Sequence, residues 1–381
     1  MARNLRLILV VLFVFCGLYT YPTVVIGSTC VDGVQASGAI YKIWMPDAED
    51  WNGDLVVYAH GYVSPFEPIA IPEDQLVLPD GTSIPGIINS LDFAFATTSY
   101  RVNGLAVKQG TADLVDLVGI FESEYGEPEF VYLVGASEGG LITTLALEKH
   151  SDVFDAGLAT CGPIGDFRRH INYLGDFRVV FDYFFPGMIP GSPIQIPRKV
   201  RKRWENLYVP RITAAIIARP HAVAQLLRVT GAAIDKNDLT SVVETIIGVL
   251  WYNVFATNDS VEKLGGNPFD NTRRIYLGSD HDWWLNHWVQ RFAADPAALA
   301  EIEANYQTSG QLDSPLITLH NTLDPIVPYW HEQLYRWKTV CAGSWLQHIN
   351  IPVFRYGHCN FERGEVLTAF LLLVLKTKLG L

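Results

Sequence analysis

The chain has 381 residues, with 28 Lys and Arg against 40 Asp and Glu, and a formal net charge of −12 at pH 7. A hydrophobic share of 49% with 12% aromatics can bury a substantial core, which excludes wholesale disorder. Net acidity is repelled by phosphate backbones, which argues against nucleic-acid binding, and the length fits one large domain or a core carrying a sizeable insertion.

Arg3 and Arg6 precede an apolar run from Leu7 to Tyr19. That run is too short to cross ~30 Å of hydrocarbon as a helix, but it suits the apolar region of a signal peptide. Val25 and Gly27 put small residues where a signal peptidase needs them, so residues 1–27 read as a leader cleaved after Gly27. The alternative is an uncleaved signal-anchor, because Tyr21–Ile26 stays apolar; membrane contact is expected only through this segment, if it is retained. Either way the protein is expected outside the cytoplasm, secreted or periplasmic. There Cys30, Cys161, Cys341 and Cys359 allow two disulfides, the alternative being free buried thiols.

Leu55–His60 and Phe93–Thr98 have the unbroken apolar character of strands buried on both faces. Ala112–Tyr125 carries Leu114, Leu117, Val118 and Phe121 at helical spacing. Phe130–Val134 reads as a strand, Leu141–His150 as a helix and Ala156–Thr160 as a strand. Over residues 163–312 this rhythm breaks into a basic stretch, Arg198–Arg203, that reads as a solvated turn, helical patterns at Ile212–Val229 and Leu239–Tyr252, and an aromatic cluster. The segment reads as a mainly helical cap inserted into a core made of residues 28–162 and 313–381. Strands at Leu316–His320 and Ile351–Tyr356 and a helix at Leu367–Leu379 complete the chain. Such alternation predicts an α/β fold with a mostly parallel sheet between helices.

Gly135-Ala136-Ser137-Glu138-Gly139 lies between an apolar strand and a helical pattern. A Gly-x-Ser-x-Gly there makes a tight turn that pushes the serine hydroxyl out at the edge of the sheet, with a helix N-terminus behind it to favour an oxyanion. Serine needs a base, and His358, next to Gly357 on the loop after the last strand, is the best placed of ten histidines. Asp324, after the preceding strand and stiffened by Pro325, is the acid expected to orient it; helix capping is its plainer reading and Asp313 a weaker rival. His60-Gly61-Tyr62 ends a strand where a turn can supply one oxyanion N–H, from Tyr62, and Glu138 supplies the second. The Glu138 side chain would oppose a developing negative charge, so it is expected to point away or pair with a base.

With the motifs HGY, GASEGG, LDPIVP and GHC, the chain from about Ala39 onward resembles the α/β-hydrolase superfamily, most of the insertion aside. The resemblance implies an eight-stranded core, a Ser137–Asp324–His358 triad and no cofactor. The absence of an HGGG run separates the chain from the hormone-sensitive-lipase group, and the serine elbow loosely resembles prolyl-oligopeptidase-like hydrolases. A cysteine after the histidine resembles tannase and feruloyl esterases, which have a further cysteine before the serine that is lacking here. On that topology Cys161 and Cys359 end at the same sheet edge and Cys341 at the other, so Cys161–Cys359 is the expected bridge. Trp283 and Trp284 are expected to line a substrate pocket, the alternative being the core of the cap. Asp280-His281-Asp282 suggests a metal tripeptide, but adjacent residues do not converge on one ion, so no metal is expected. The expectation is an exported serine esterase acting on a small-molecule or polymer ester. A peptidase with the same triad and a non-catalytic binding protein on a hydrolase scaffold are the alternatives.

Overall fold

The computed structural model describes residues 29–380, so the expected leader lies outside the described residues. Eight strands form one sheet: β1 (Thr29–Val34), β2 (Ile40–Met45), β3 (Leu55–Ala59), β4 (Ala94–Thr98), β5 (Val131–Ala136), β6 (Ala156–Thr160), β7 (Leu316–Leu323) and β8 (His348–Tyr356). Their order across the sheet is β1-β2-β4-β3-β5-β6-β7-β8. β1 and β2 run antiparallel to their neighbours, and every pair from β4 to β8 is parallel. This is the mostly parallel α/β-hydrolase sheet expected from the motifs.

Helices α1 (Ile84–Ser90), α2 (Val107–Tyr125) and α3 (Glu138–Lys149) follow β3, β4 and β5 in turn. α2 buries Leu114, Leu117, Val118 and Phe121 on one face of the sheet together with Leu141 and Leu145 of α3. The other face packs on Ile88 of α1 and on Phe370, Leu373 and Val374 near the C-terminus. Both faces are therefore covered, which is why β3, β4 and β6 are buried along their whole length rather than on alternate residues.

Between β6 and β7 the chain folds into helices: α4 (Phe167–Phe184), α5 (Arg198–Lys202), α6 (Val209–Ala218), α7 (Pro220–Thr230), α8 (Thr240–Lys263), α9 (Asp282–Trp288) and α10 (Pro296–Asn305). Most of them share a second apolar core that includes Phe177, Phe181, Trp204, Leu226, Leu250 and Leu285. α11 (Trp330–Ala342) and α12 (Arg363–Leu379) complete the fold. The structure departs from the sequence reading in three places here. Ile212–Val229 is two helices, because Pro220 cannot sit inside one and Arg219 leaves helical geometry. Arg198–Lys202 is a short helix rather than a solvated turn: Val200 is buried and Arg201 lies over the ring of Phe66. α8 continues a further eleven residues past Tyr252, to Lys263, and is long and apolar enough to cross a membrane by length and composition, but it packs here through Ile246, Val249, Leu250 and Val254.

Candidate active site

The C-terminal ends of β5, β7 and β8 bring three side chains together. Ser137 stands between β5 and α3, Asp324 directly follows β7, and His358 follows β8 on the turn begun by Gly357. His358 Nε2 lies 2.8 Å from Ser137 Oγ, and His358 Nδ1 lies 2.7 Å from Asp324 Oδ2. The hydroxyl, the imidazole and the carboxylate thus form one continuous line of hydrogen bonds.

Ser137 adopts φ 57° and ψ −117°, a conformation that L-residues avoid. Two glycines permit it. A Cβ on Gly135 would lie 2.2 Å from the Gly139 carbonyl oxygen, and one on Gly139 would lie 2.0 Å from that of Ala59. α3 therefore starts pressed against the end of β3, with its first N–H groups beside the serine. The Gly61–Tyr62 backbone crosses the same place, since a Cβ on Gly61 would be 3.2 Å from Ser137 Cβ. Gln75 takes the Gly61 N–H (2.7 Å), whereas the N–H groups of Tyr62 and Glu138 have no acceptor among the described residues. Those two N–H groups can serve an oxyanion formed at Ser137.

The Glu138 side chain is buried and turns to the Ala106 N–H, which donates to its Oε1 (2.9 Å). Burial pushes its carboxyl up to about 8, an effect that the Ala106 bond and Lys263 only partly offset. The residue next to the nucleophile is therefore largely uncharged near neutrality. A carboxyl whose folded-state value exceeds its unfolded one binds its proton more tightly when folded, so stability drains away as pH rises from about 4.5 to about 8. Glu138→Gln should abolish that slope. Thermal melts across pH are expected to show a Tm near wild type at pH 5 and above wild type beyond pH 8.

Asp324 is fully buried and held from behind. Its Oδ1 accepts from the N–H groups of Ile326 (2.8 Å) and Val327 (3.0 Å). Tyr173 of α4 donates its hydroxyl to the Pro325 carbonyl (2.6 Å), and Ile326 and Val327 pack into the core of the insertion. His320 braces the same turn. Its Nε2 donates to the Val327 carbonyl (2.8 Å), its Nδ1 faces Glu332 Oε1 (3.0 Å), and Nε2 is 3.6 Å from Asp324 Oδ2. Burial opposes charge on this imidazole, but Glu332, Asp324 and the Val327 carbonyl outweigh it and raise its proton affinity.

The His358 loop is pinned on both sides. Asn321 accepts from the Asn360 N–H (3.0 Å) and donates to the Asn360 carbonyl (2.9 Å). Cys359 forms a disulfide with Cys161, Cα–Cα 5.4 Å, and Cys161 directly follows β6 beside Ser137, whose N–H donates to the Thr160 carbonyl. Both cysteines sit at positive φ, 47° and 50°, so with Ser137 three strained residues meet at one site. Replacing Cys161 and Cys359 together with serine is expected to lower Tm by about 5–10 °C in calorimetry. The same change should reduce kcat more than it alters KM, because it frees the residue next to His358. Cys30 and Cys341 are exposed free thiols, so among the described residues one bridge forms rather than two.

Sequence reasoning missed Tyr252. It comes from α8, 115 residues beyond the serine, and its buried hydroxyl lies on the Ser137 side of the site. Its ring meets those of Tyr62 (5.8 Å) and Trp251 (5.1 Å), and it also borders an apolar cavity of about 60 Å³ that Leu174, Ile194, Ala256 and Phe269 help to line. Trp283 and Trp284 do not occupy that position. They are exposed on α9, Trp283 stacked on His287 and set edge-to-face against Trp284, because Leu285 and Val289 are the residues that this helix turns inward. Asp280 and Asp282 do not converge on one point: Asp280 pairs with Arg228 and His221, and Asp282 accepts from Ser279.

No family model and no curated protein matches the chain. Among solved structures, an esterase from Aspergillus oryzae superposes with TM-score 0.48 at 12% identity, over 93% of this chain and 80% of that one. An esterase from Pyrococcus furiosus gives 0.45 at 11% identity, over 95% of this chain and 93% of that one. Acylaminoacyl peptidase from Pyrococcus horikoshii gives 0.45 at 12% identity over 96% of this chain, which spans only 42% of that peptidase.

Proposed function

We propose that the chain is a serine hydrolase that cleaves carboxylic esters through an acyl-enzyme. The observation that carries this reading is the unbroken hydrogen-bond line from Ser137 through His358 to Asp324, with the serine held strained at the start of α3. His358 Nε2 takes the serine proton as Oγ attacks the ester carbonyl carbon. The negative oxygen settles on the N–H groups of Tyr62 and Glu138. His358 then returns the proton to the departing alcohol, the acyl group stays on Oγ, and a water activated by the same imidazole releases the acid. Asp324, already committed to Ile326 and Val327 through its other oxygen, fixes the imidazole tautomer throughout. No cofactor enters this cycle.

Esters are favoured over peptides by what surrounds the serine. The side chains that gather there are the rings of Tyr62, Trp251 and Tyr252, and the Glu138 carboxyl is held uncharged, so a substrate ammonium meets no anchor in this group. The chemistry belongs with an exported protein, in keeping with the apolar segment at Leu7–Tyr19 and the Cys161–Cys359 bridge. Parallel assays on p-nitrophenyl esters of increasing acyl length and on aminoacyl and peptidyl p-nitroanilides test the reading. Turnover confined to esters is expected, and turnover confined to anilides would move the protein to the peptidases.

A further inference from the structure

The tryptophans of α9 form the most apolar exposed surface of the insertion. Trp283, Trp284 and Trp288 are 67%, 49% and 64% exposed, while Leu285 and Val289 anchor the opposite side of the helix. Ile275 and Leu277, 72% and 64% exposed, flank buried Tyr276 and point the other way from it. The Asn286 side chain ties that segment to α9, accepting from the Tyr276 N–H (2.9 Å) and donating to its carbonyl (2.7 Å). Five large apolar side chains therefore share one outer surface. Soluble proteins seldom leave such a patch uncovered without a partner for it.

The charges around the patch indicate the partner. Arg228 joins it through the Gly278 carbonyl (2.9 Å) and Asp280 (3.0 Å), and Arg291 through the Asn271 carbonyl (2.8 Å); Arg273 and Arg274 are exposed beside Ile275. Asp280 and Arg228 offset each other, Arg274 pairs with Asp176 (3.3 Å), and Asp282 is held by Ser279 and Gly278, which leaves Arg273 and Arg291 with no carboxylate partner among the described residues. The insertion also stands apart from the rest of the chain in charge. Residues 163–312 hold 16 of the 28 basic residues and 15 of the 40 acidic ones, leaving 12 basic against 25 acidic elsewhere. An anionic surface would repel most of this protein and accept this face. Tryptophan, with an apolar ring and one N–H donor, is the side chain most at home where headgroups meet acyl chains.

We infer that the outer face of α9 and the 273–277 segment docks on an anionic lipid–water interface, the tryptophans entering the headgroup region and the arginines meeting lipid phosphates. This contact is separate from any held by the N-terminal apolar segment and does not depend on the reaction at Ser137.

The test is quenching of tryptophan fluorescence by vesicles with brominated acyl chains, made from phosphatidylcholine with or without phosphatidylglycerol. Residues 1–28 contain no tryptophan, so a retained leader gives no such signal. The full chain should be quenched by the anionic vesicles, less by the neutral ones, and less again in high salt. The variant Trp283→Ala/Trp284→Ala/Trp288→Ala, altered only at exposed positions, should partition about tenfold more weakly or worse. Arg273→Glu, which keeps every tryptophan, should weaken binding to anionic vesicles and leave the neutral ones unchanged. Equal quenching of wild type and triple variant overturns the proposal, as does equal quenching by both vesicle types. A dimeric mass by light scattering that the triple variant converts to a monomer also overturns it, because the face would then be covered by a second copy.

Discussion

Ser137→Ala is expected to lower kcat/KM for carboxylic esters by about 10⁴-fold or more, with the protein still folded. Ser137 Oγ is the atom that would bond to the acyl carbon, and no other hydroxyl is aligned with His358 Nε2 among the described residues. The change costs little structurally, since alanine tolerates the φ of 57° about as well as serine does. The group it strands is His358 Nε2, which loses its Ser137 partner, but the ring is part-exposed and water can take that place, so a melt should register only a small fall in Tm. Activity should collapse while stability barely moves.

Asp324→Asn is expected to lower kcat by about 10³–10⁴-fold, nearly as much, although it deletes no atom from the line. The reason lies in the back of the carboxylate. One oxygen is claimed by the N–H groups of Ile326 (2.8 Å) and Val327 (3.0 Å), so an asparagine must put its own oxygen there. Its NH₂ then faces His358 Nδ1, which can only accept, and the imidazole proton is forced onto Nε2. A nitrogen carrying a proton cannot take one from Ser137. Steady-state kinetics with KM little changed and circular dichroism like wild type would fit this tautomer mechanism. A loss below tenfold would mean that Asp324 serves the turn alone.

The convergence of Ser137, Asp324 and His358 was legible in the sequence because each side chain is positioned by its own few neighbours. GASEGG writes a strand-to-helix turn, LDP a stiff turn after a strand, and YGH a glycine-freed one, and a parallel sheet carries all three to one edge. The residues that complete the site were not legible. Tyr252, Asn321 and His320 act through packing between elements far apart in the chain, and nothing in their local sequence marks them. α9 shows the same limit from the other side. In DWWLNHW followed by Val289, Leu285/Val289 and Trp284/Trp288 are both apolar pairs four residues apart, so periodicity alone cannot say which faces inward. The antiparallel start was missed for a related reason. β1, TCVDGV, mixes Asp32 and Gly33 into its run, and it holds its place by pairing with β2, where Gly33 makes room for the ring of Tyr41.

The most direct measurement is labelling of the folded protein with a fluorophosphonate, followed by intact mass and peptide mapping. One adduct per chain, on the peptide that carries Ser137, with ester turnover falling in step and no label on Ser137→Ala, is the expected result. Folded protein that takes no label, or takes it on another residue while hydrolysing esters, would contradict the assignment of Ser137 as the nucleophile.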